Sequence, residues 1–359
     1  MSEAPSVLVT GAGGFIGGRV VEVLHRLGDR SVRAGVRRWA SAARIGRLPV
    51  EIVQCDVMDP ASLDRALIGI SAVVHCAVGD RDVTVGGTLK LLEAAERADV
   101  DRVVHISSID VYGDATGEVS EETPLQQTGR PYGDSKIEAE QACRAAIERG
   151  VPVAILRPTL VYGPFSESWT IEWAQRLQAR PWLLSEDDCR GTCNLVYVDD
   201  LVGAIRLALA SPGAVGESFN INGPERPTWN DYFRNLNEAM GLPALVTQSA
   251  TTSHASAHLM APVRVTAKWL IANFEGPIMG LYQRSALAKS VMRGAEGWIR
   301  KTPNHAEFTL LAKSVSFPTD KAGTQLGYQP SFSMADGIGL SVAWLRHHGY
   351  LERTAETPR

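Results

Sequence analysis

Long apolar runs are missing from this chain of 359 residues. None reaches the roughly 18 residues that would suggest a membrane span. The opening stretch "MSEAPSVLVTGAGG" has no basic n-region and no h-region before its glycines, so no signal peptide is expected. Charge of one sign is also in short supply. The formal net charge of -4 argues against nucleic-acid binding driven by bulk charge, and no nucleic-acid partner is expected. Cysteines number five, an odd count with irregular spacing (Cys55, Cys76, Cys143, Cys189, Cys193). Cys189 and Cys193 lack a matching second pair, so no metal site is expected. Reduced thiols in a cytoplasmic protein are the expected state.

What is present is an ordinary globular composition, 45% hydrophobic and 21% charged, enough for one large domain or two smaller ones. The first half alternates short apolar runs with stretches of helical spacing. "SVLVT", "VRAGV", "VEIVQCDV", "SAVVHCA", "DRVVHISS" and "VPVAILRP" read as strands. Between several of them lie "GFIGGRVVEVLHRLG", "DPASLDRALIG", "VGGTLKLLEAAERADV" and the stretch from Pro131 to Arg149, which read as helices. That alternation predicts βαβ units and a parallel sheet covered on both faces. After Pro158 the pattern becomes irregular. "NLVYVDDLVGAIRLALAS" reads as a strand running into a helix capped by Asp199 or Asp200, and "GESFNING" as another strand. From Thr228 onward the chain reads mainly helical. The expected organisation is a doubly wound α/β domain over 1–157, with 195–222 returning to it, and a smaller substrate lobe over 158–194 and 223–359.

Two local patterns carry chemistry. Gly11, Gly14 and Gly17 form G-x-x-G-x-x-G between a strand and a helix. Glycine allows positive φ and close approach of backbone to a pyrophosphate, and the helix N-terminus offers N–H groups to it. Tyr132 and Lys136 lie four residues apart, just after Pro131, so a phenol and an ammonium project from one helix face.

Several motifs, in one order, resemble the extended short-chain dehydrogenase/reductases, the NAD-dependent epimerase/dehydratase family. They are "TGAGGFIG" at Thr10–Gly17, "CDVMD" at Cys55–Asp59, "HCA" at His75–Ala77 and "SSIDVYG" at Ser107–Gly113. "YGDSK" at Tyr132–Lys136, "LRPTLVYGP" at Leu156–Pro164 and "YVDDLVGAI" at Tyr197–Ile205 follow. The resemblance covers roughly the first 220 residues, and the late stretch "FPTDKAGTQLGYQPSFSMADGI" resembles the family's closing region.

The resemblance implies a Rossmann-type sheet and a catalytic group of Ser108, Tyr132 and Lys136. Tyr132 is the expected acid/base and Lys136 its tuner and a ribose ligand. Ser108 is the expected substrate-orienting hydroxyl, with Ser107 as the fallback. A free phenol has a pKa of about 10, and a nearby ammonium together with the cationic oxidised nicotinamide would lower it. The implied cofactor contacts are Gly11, Gly14, Phe15, Ile16, Gly17, Asp56, Val57, Ala77, Tyr132 and Lys136. The second strand ends without the acid that NAD-preferring relatives use for the ribose 2′-OH. Arg37 and Arg38 follow it, with Arg44 further on, as in NADPH-using members. NADP is therefore the expected cofactor, with NAD as the alternative. A solvated basic loop is the competing reading of the arginines.

The chain departs from the family in four places. Thr84 stands where Asn is common, and the segment from Ala77 to Gly87 is short. Leu160 replaces the Asn that sugar-nucleotide members carry, and Ile109-Asp110 replaces the Asp-Glu of dehydratases. The expected function is that of an NAD(P)-dependent oxidoreductase or epimerase acting on a carbinol or ketone of a small molecule, sugar nucleotides included. The alternative is an NADPH-dependent reductase or dehydrogenase of an apolar, steroid- or flavonoid-like ketone, favoured by Leu160 and a long apolar C-terminal segment. A dinucleotide-sensing regulator without turnover is a third reading. Relatives of that kind tend to lose the tyrosine or lysine, and both are kept here. The residues between about Ser249 and Lys313 would cover an apolar substrate, touch a membrane surface, or form a lobe helix with solvated cations. A homodimer through the helix beginning at Tyr132 is the oligomer that family resemblance suggests. His75 and His105, inside strands, read as structural.

Overall fold

A computed structural model describes residues 6–28, 30–179, 184–247 and 305–351, with isolated positions at 182, 249, 251, 255 and 266. Seven strands make one parallel sheet: β1 (Ser6–Thr10), β2 (Ser31–Val36), β3 (Glu51–Gln54), β4 (Ala72–His75), β5 (Arg102–Ile106), β7 (Val153–Pro158) and β10 (Ser218–Ile221). Their spatial order is β10-β7-β5-β4-β1-β2-β3. The order reverses direction beside β1, as in a doubly wound Rossmann sheet, where ligands lie at the carboxyl ends of the strands. β4, β7 and β10 are buried at every position, which accounts for their largely apolar character.

Helices α1 (Phe15–Leu27), α2 (Pro60–Leu67), α3 (Gly87–Arg97) and α4 (Pro131–Glu148) cover the sheet. Their ends follow local chemistry. Asp59 caps α2 by accepting from the Ala61 N–H, Pro60 and Pro131 open their helices, and Gly28 closes α1 at φ 66°. On one face Leu8, Val73, Val103 and Val153 of four strands pack with Leu91 of α3 and Ala146 of α4. The helix expected from Val85 begins as a wider π-turn over Asp82–Gly86 and becomes regular only at Gly87. Neither Asp199 nor Asp200 caps α6 (Val198–Ala210): Tyr197 holds that position and both acids lie in the first turn. They are engaged elsewhere, Asp199 by Arg19 and Asp200 by the N–H groups of Ser331 and Phe332.

The chain divides into two compact units. The first comprises Met1–Ser166, Asn194–Glu225 and Val315–Gly337, the second Glu167–Cys193, Arg226–Ser314 and Ile338–Arg359. Residues 158–166 and 315–337, read from sequence as lobe, group with the sheet for a physical reason. Two small parallel ladders hold them: β8 (Leu160–Tyr162) pairs β9 (Leu195–Tyr197), and β11 (Val315–Ser316) pairs β6 (Gly117–Glu118). Within the second unit α7 (Trp229–Ala239) starts with a reciprocal Thr228–Asp231 cap. Its Phe233 ring lies 4.7 Å from that of Trp173 and 4.9 Å from that of Trp182. The segment between Ser249 and Lys313 falls largely outside the described residues, apart from the helix His305–Ala312. Among the described residues no helix is long and apolar enough to cross a membrane.

Candidate active site

The turn from β1 into α1 is built for close approach. Gly11 has φ +65°, and a Cβ there would lie 2.8 Å from the Ala77 backbone nitrogen just beyond β4. The Gly14 N–H closes the turn on the Gly11 carbonyl at 2.9 Å. No side chain caps α1 and no acid stands in its first turn. Its leading N–H groups and positive dipole end therefore suit a phosphate, so the cradle fits a dinucleotide. Phe15 and Ile16 are half-buried, as is Ala77. Asp56 accepts from the Met58 N–H at 2.9 Å, while Val57 is buried in the core against α3.

Arg37 and Arg38 are exposed directly after β2, and neither has a side-chain hydrogen bond or ion pair among the described residues. Arg44 is different. It grips Glu22 through Nε at 2.9 Å and Nη2 at 3.0 Å, donates to the Phe15 carbonyl, and lies 3.8 Å from the Phe165 ring centroid. Its guanidinium is committed to α1, so only the first two arginines remain available for a 2′-phosphate.

Ser108, Tyr132 and Lys136 come together at the carboxyl end of β5. Ser108 begins a 3-10 turn, Ile109–Tyr112, accepting from the Asp110 N–H at 3.1 Å. Pro131 starts α4 against that turn. A Cβ at Gly133 would lie 2.9 Å from the Asp110 carbonyl oxygen, so glycine permits the contact. The Ser108 hydroxyl is thereby near enough to the Tyr132 phenol to favour its ionised form. Ser107, the fallback, faces away. It donates to Glu140 at 2.5 Å inside the protein, as alternation along an extended segment requires.

Tyr132 is 47% exposed. Burial and then the Asp110 carboxylate push its pKa up to about 12, while the Ser108 hydroxyl pulls it down. The expected lowering by Lys136 is not part of this balance. Lys136 is 4% exposed, donates to the Ile106 carbonyl at 2.8 Å, and lies 5.9 Å from the Tyr132 ring centroid. Burial lowers its pKa to about 8.

Beneath the lysine, His75 bonds Thr10 at 2.8 Å and Thr88 at 3.1 Å. The Thr88 hydroxyl donates to the Thr84 carbonyl, so its oxygen accepts from His75 Nε2–H, and Nδ1 accepts from Thr10. Burial and then Lys136 hold the His75 pKa down to about 3, so the ring is neutral. His105 is also buried and neutral, and neither ring nitrogen has a partner among the described residues. Thr84, in the place where Asn was expected, both donates to the Gly79 carbonyl and accepts from its N–H.

Sequence reasoning missed the buried cluster of Glu140 and Arg157 altogether. Its signal was available: Glu140 continues the four-residue spacing of Tyr132 and Lys136, and Arg157 interrupts an otherwise apolar central strand.

A parallel sheet that changes direction beside a glycine turn, with a serine, tyrosine and lysine at one strand end, defines a dinucleotide-dependent enzyme of the extended short-chain dehydrogenase/reductase class. Residues 7–222 match the model of the NAD dependent epimerase/dehydratase family, and the chain belongs to that family. It is 28% identical over 367 residues to sterol demethylase protein B of Methylococcus capsulatus, a likeness covering 96% of this chain and 100% of that protein. It is 29% identical over 252 residues to the uncharacterized UDP-glucose epimerase YtcB of Bacillus subtilis, covering 61% and 77%. The fold is shared with UDP-glucuronic acid 4-epimerase from Bacillus cereus in complex with NAD, at TM-score 0.70 and 22% identity over 96% of this chain and 99% of that one. This chain is an NAD(P)-dependent enzyme.

Proposed function

We propose that this enzyme moves hydride between NADP(H) and a carbinol or ketone carbon on an apolar, sterol-class ring system. The observation that carries the redox reading is Lys136, buried and donating to the Ile106 carbonyl, one helical turn from Tyr132 and 5.9 Å from its ring centroid, with Ser108 at the adjoining strand end. The bound cofactor supplies or accepts the hydride. The chain does the rest. Gly11–Gly17 and the start of α1 would hold the pyrophosphate, and Arg37 and Arg38 the 2′-phosphate. The substrate oxygen would sit between the Ser108 hydroxyl and the Tyr132 phenol. A phenol with its pKa raised to about 12 is protonated at neutral pH, so it is ready to give its proton to a carbonyl oxygen. Ketone reduction is thus the direction these residues favour before an oxidised cofactor adds its positive charge.

The substrate class rests on two supports. Sterol demethylase protein B is matched along its whole length, while the UDP-glucose epimerase relative covers 61% of this chain. Leu160, half-buried on β8, replaces a polar side chain expected of sugar-nucleotide members. The YtcB likeness favours a second reading, epimerisation of a sugar nucleotide through a keto intermediate. The test is absorbance at the reduced-nicotinamide band with NADPH plus a 3-ketosteroid, with NADP plus a 3β-hydroxysteroid, and product analysis with UDP-glucose. Turnover of the steroids is expected. Conversion of UDP-glucose to its epimer, with both steroids inert, would overturn the sterol assignment.

A further inference from the structure

The face of α4 that carries Tyr132 and Lys136 continues at the same interval to Glu140, a carboxylate 1% exposed. Three donors from two neighbouring segments converge on it: Ser107 Oγ at 2.5 Å, Arg157 Nε at 2.9 Å and Arg157 Nη2 at 2.6 Å. Arg157, 3% exposed, gives its remaining Nη1 to the Tyr112 oxygen at 2.8 Å, and Tyr112 donates in turn to Asn220 at 2.7 Å. We propose that Glu140 is a positioning residue for the catalytic group: clamped by Arg157 and Ser107, it fixes α4 against β5 and β7 so that Ser108, Tyr132 and Lys136 meet. The proposal rests on the reading of those three as the reacting group.

Stability alone gives a poor account of this cluster. Desolvation of two charges largely offsets their attraction, and apolar side chains of similar volume often fill such a space as well. What apolar packing lacks is direction. A bidentate ion pair fixes the rotation of α4 about its axis, and Tyr132 and Lys136 turn with it. Capturing the Ser107 hydroxyl turns the next residue, Ser108, to the other side, where Tyr132 stands.

The clamp also faces Lys136 electrically. The groups acting on that ammonium are Cys76 beyond β4, Cys143 and Glu140 on α4, and the rings of His75, His105 and Tyr132. Burial keeps the histidines neutral and both thiols protonated. Glu140 is the carboxylate in the set, and its charge favours the protonated lysine.

The experiment compares the full chain with Glu140→Gln, with the apolar pair Glu140→Leu/Arg157→Met, and with Tyr132→Phe. The Lys136 amine is followed by 15N-lysine NMR against pH, without substrate, and assigned by its loss in Lys136→Met. Melting temperature, NADPH affinity, and kcat and KM with a 3-ketosteroid and, in parallel, with UDP-glucose complete the set. Expected are a wild-type Lys136 midpoint of about 8 and a lower midpoint in Glu140→Gln, where the carboxylate that favours the ammonium is gone. The apolar pair is expected to melt near wild type, to keep NADPH affinity within a few-fold, and to lose about tenfold or more in kcat. An unmoved Lys136 midpoint, or wild-type kcat in the apolar pair, would overturn the role of Glu140. Full turnover by Tyr132→Phe would overturn the catalytic reading, and the positioning role with it, even where Lys136 had shifted.

Discussion

The Ser108 hydroxyl lies close enough to the Tyr132 phenol to favour its ionised form, bringing the end of β5 beside the first turn of α4. Two residues distant in sequence thereby share one polar point beside Lys136. Tyr132→Phe would remove the proton transferred in the proposed reaction while leaving the fold in place. The expected result is a kcat lower by about 10² or more, the usual share of general acid–base catalysis, with NADPH affinity preserved. Ser108→Ala is expected to lose less and to raise KM as well. Steady-state kinetics on the two variants, with calorimetry as the folding control, check this pair.

Arg37→Ala is expected to weaken NADP(H) binding much more than NAD(H) binding. The guanidinium is exposed at the end of β2 and has no partner among the described residues, so a 2′-phosphate is the group it would meet. Arg44→Ala should weaken both cofactors alike, because its contacts are with Glu22 and the Phe15 carbonyl. Titration of each variant with both cofactors separates the outcomes. Equal losses for Arg37→Ala would show that the arginine only faces solvent.

The histidines beneath the lysine predict an acid-sensitive fold. In the folded chain His75 takes up its proton only near pH 3, whereas the unfolded chain does so near the ordinary 6.5. Between those values the unfolded state binds more protons, so stability falls as pH drops from 6.5 toward 3. The slope approaches about 1.4 kcal/mol per pH unit for one such group. His75→Gln should flatten the pH dependence of urea-unfolding free energy in that window. An unchanged slope would assign the acid sensitivity to other groups.

Hexose-nucleotide 4,6-dehydration is not expected. That reaction needs an acid to expel a hydroxyl, at the place where this chain has Ile109. Its side chain packs against the cluster of Val111, Tyr112 and Phe317 and has no proton to give. Asp110 remains for a base, but the second group is missing. Mass analysis after incubation with dTDP-glucose and NAD should show no loss of water. A catalytic yield of the dehydrated product would mean that another residue supplies the acid.

Local chemistry was legible in the sequence, and long-range partnership was not. Gly11, Gly14 and Gly17 announced a turn, because only a few residue types tolerate its backbone. Tyr132 and Lys136 announced a helix face, because four residues make about one turn. The central strands of the main sheet were legible because burial on both faces leaves them mostly apolar. Arg44 looked like its neighbours Arg37 and Arg38, since nothing local shows that Glu22 holds it. Ser107 and Ser108 are chemically alike, and only Glu140, over thirty residues away, separates their roles. β6 and β11 have two residues each, too few for any periodicity to register.

That last pairing bears on synthesis of the chain. β6 waits for a partner strand roughly 200 residues downstream. The same late segment supplies Phe317 to the packing beside Tyr112, and Tyr328, whose hydroxyl donates to the Asn222 carbonyl. A ribosome that has delivered the whole main sheet has therefore not yet delivered the residues that finish its unit. The first unit is complete only after residues 167–193 and 226–314 of the second have been made. Its completion is set by the emergence of residues 315–337.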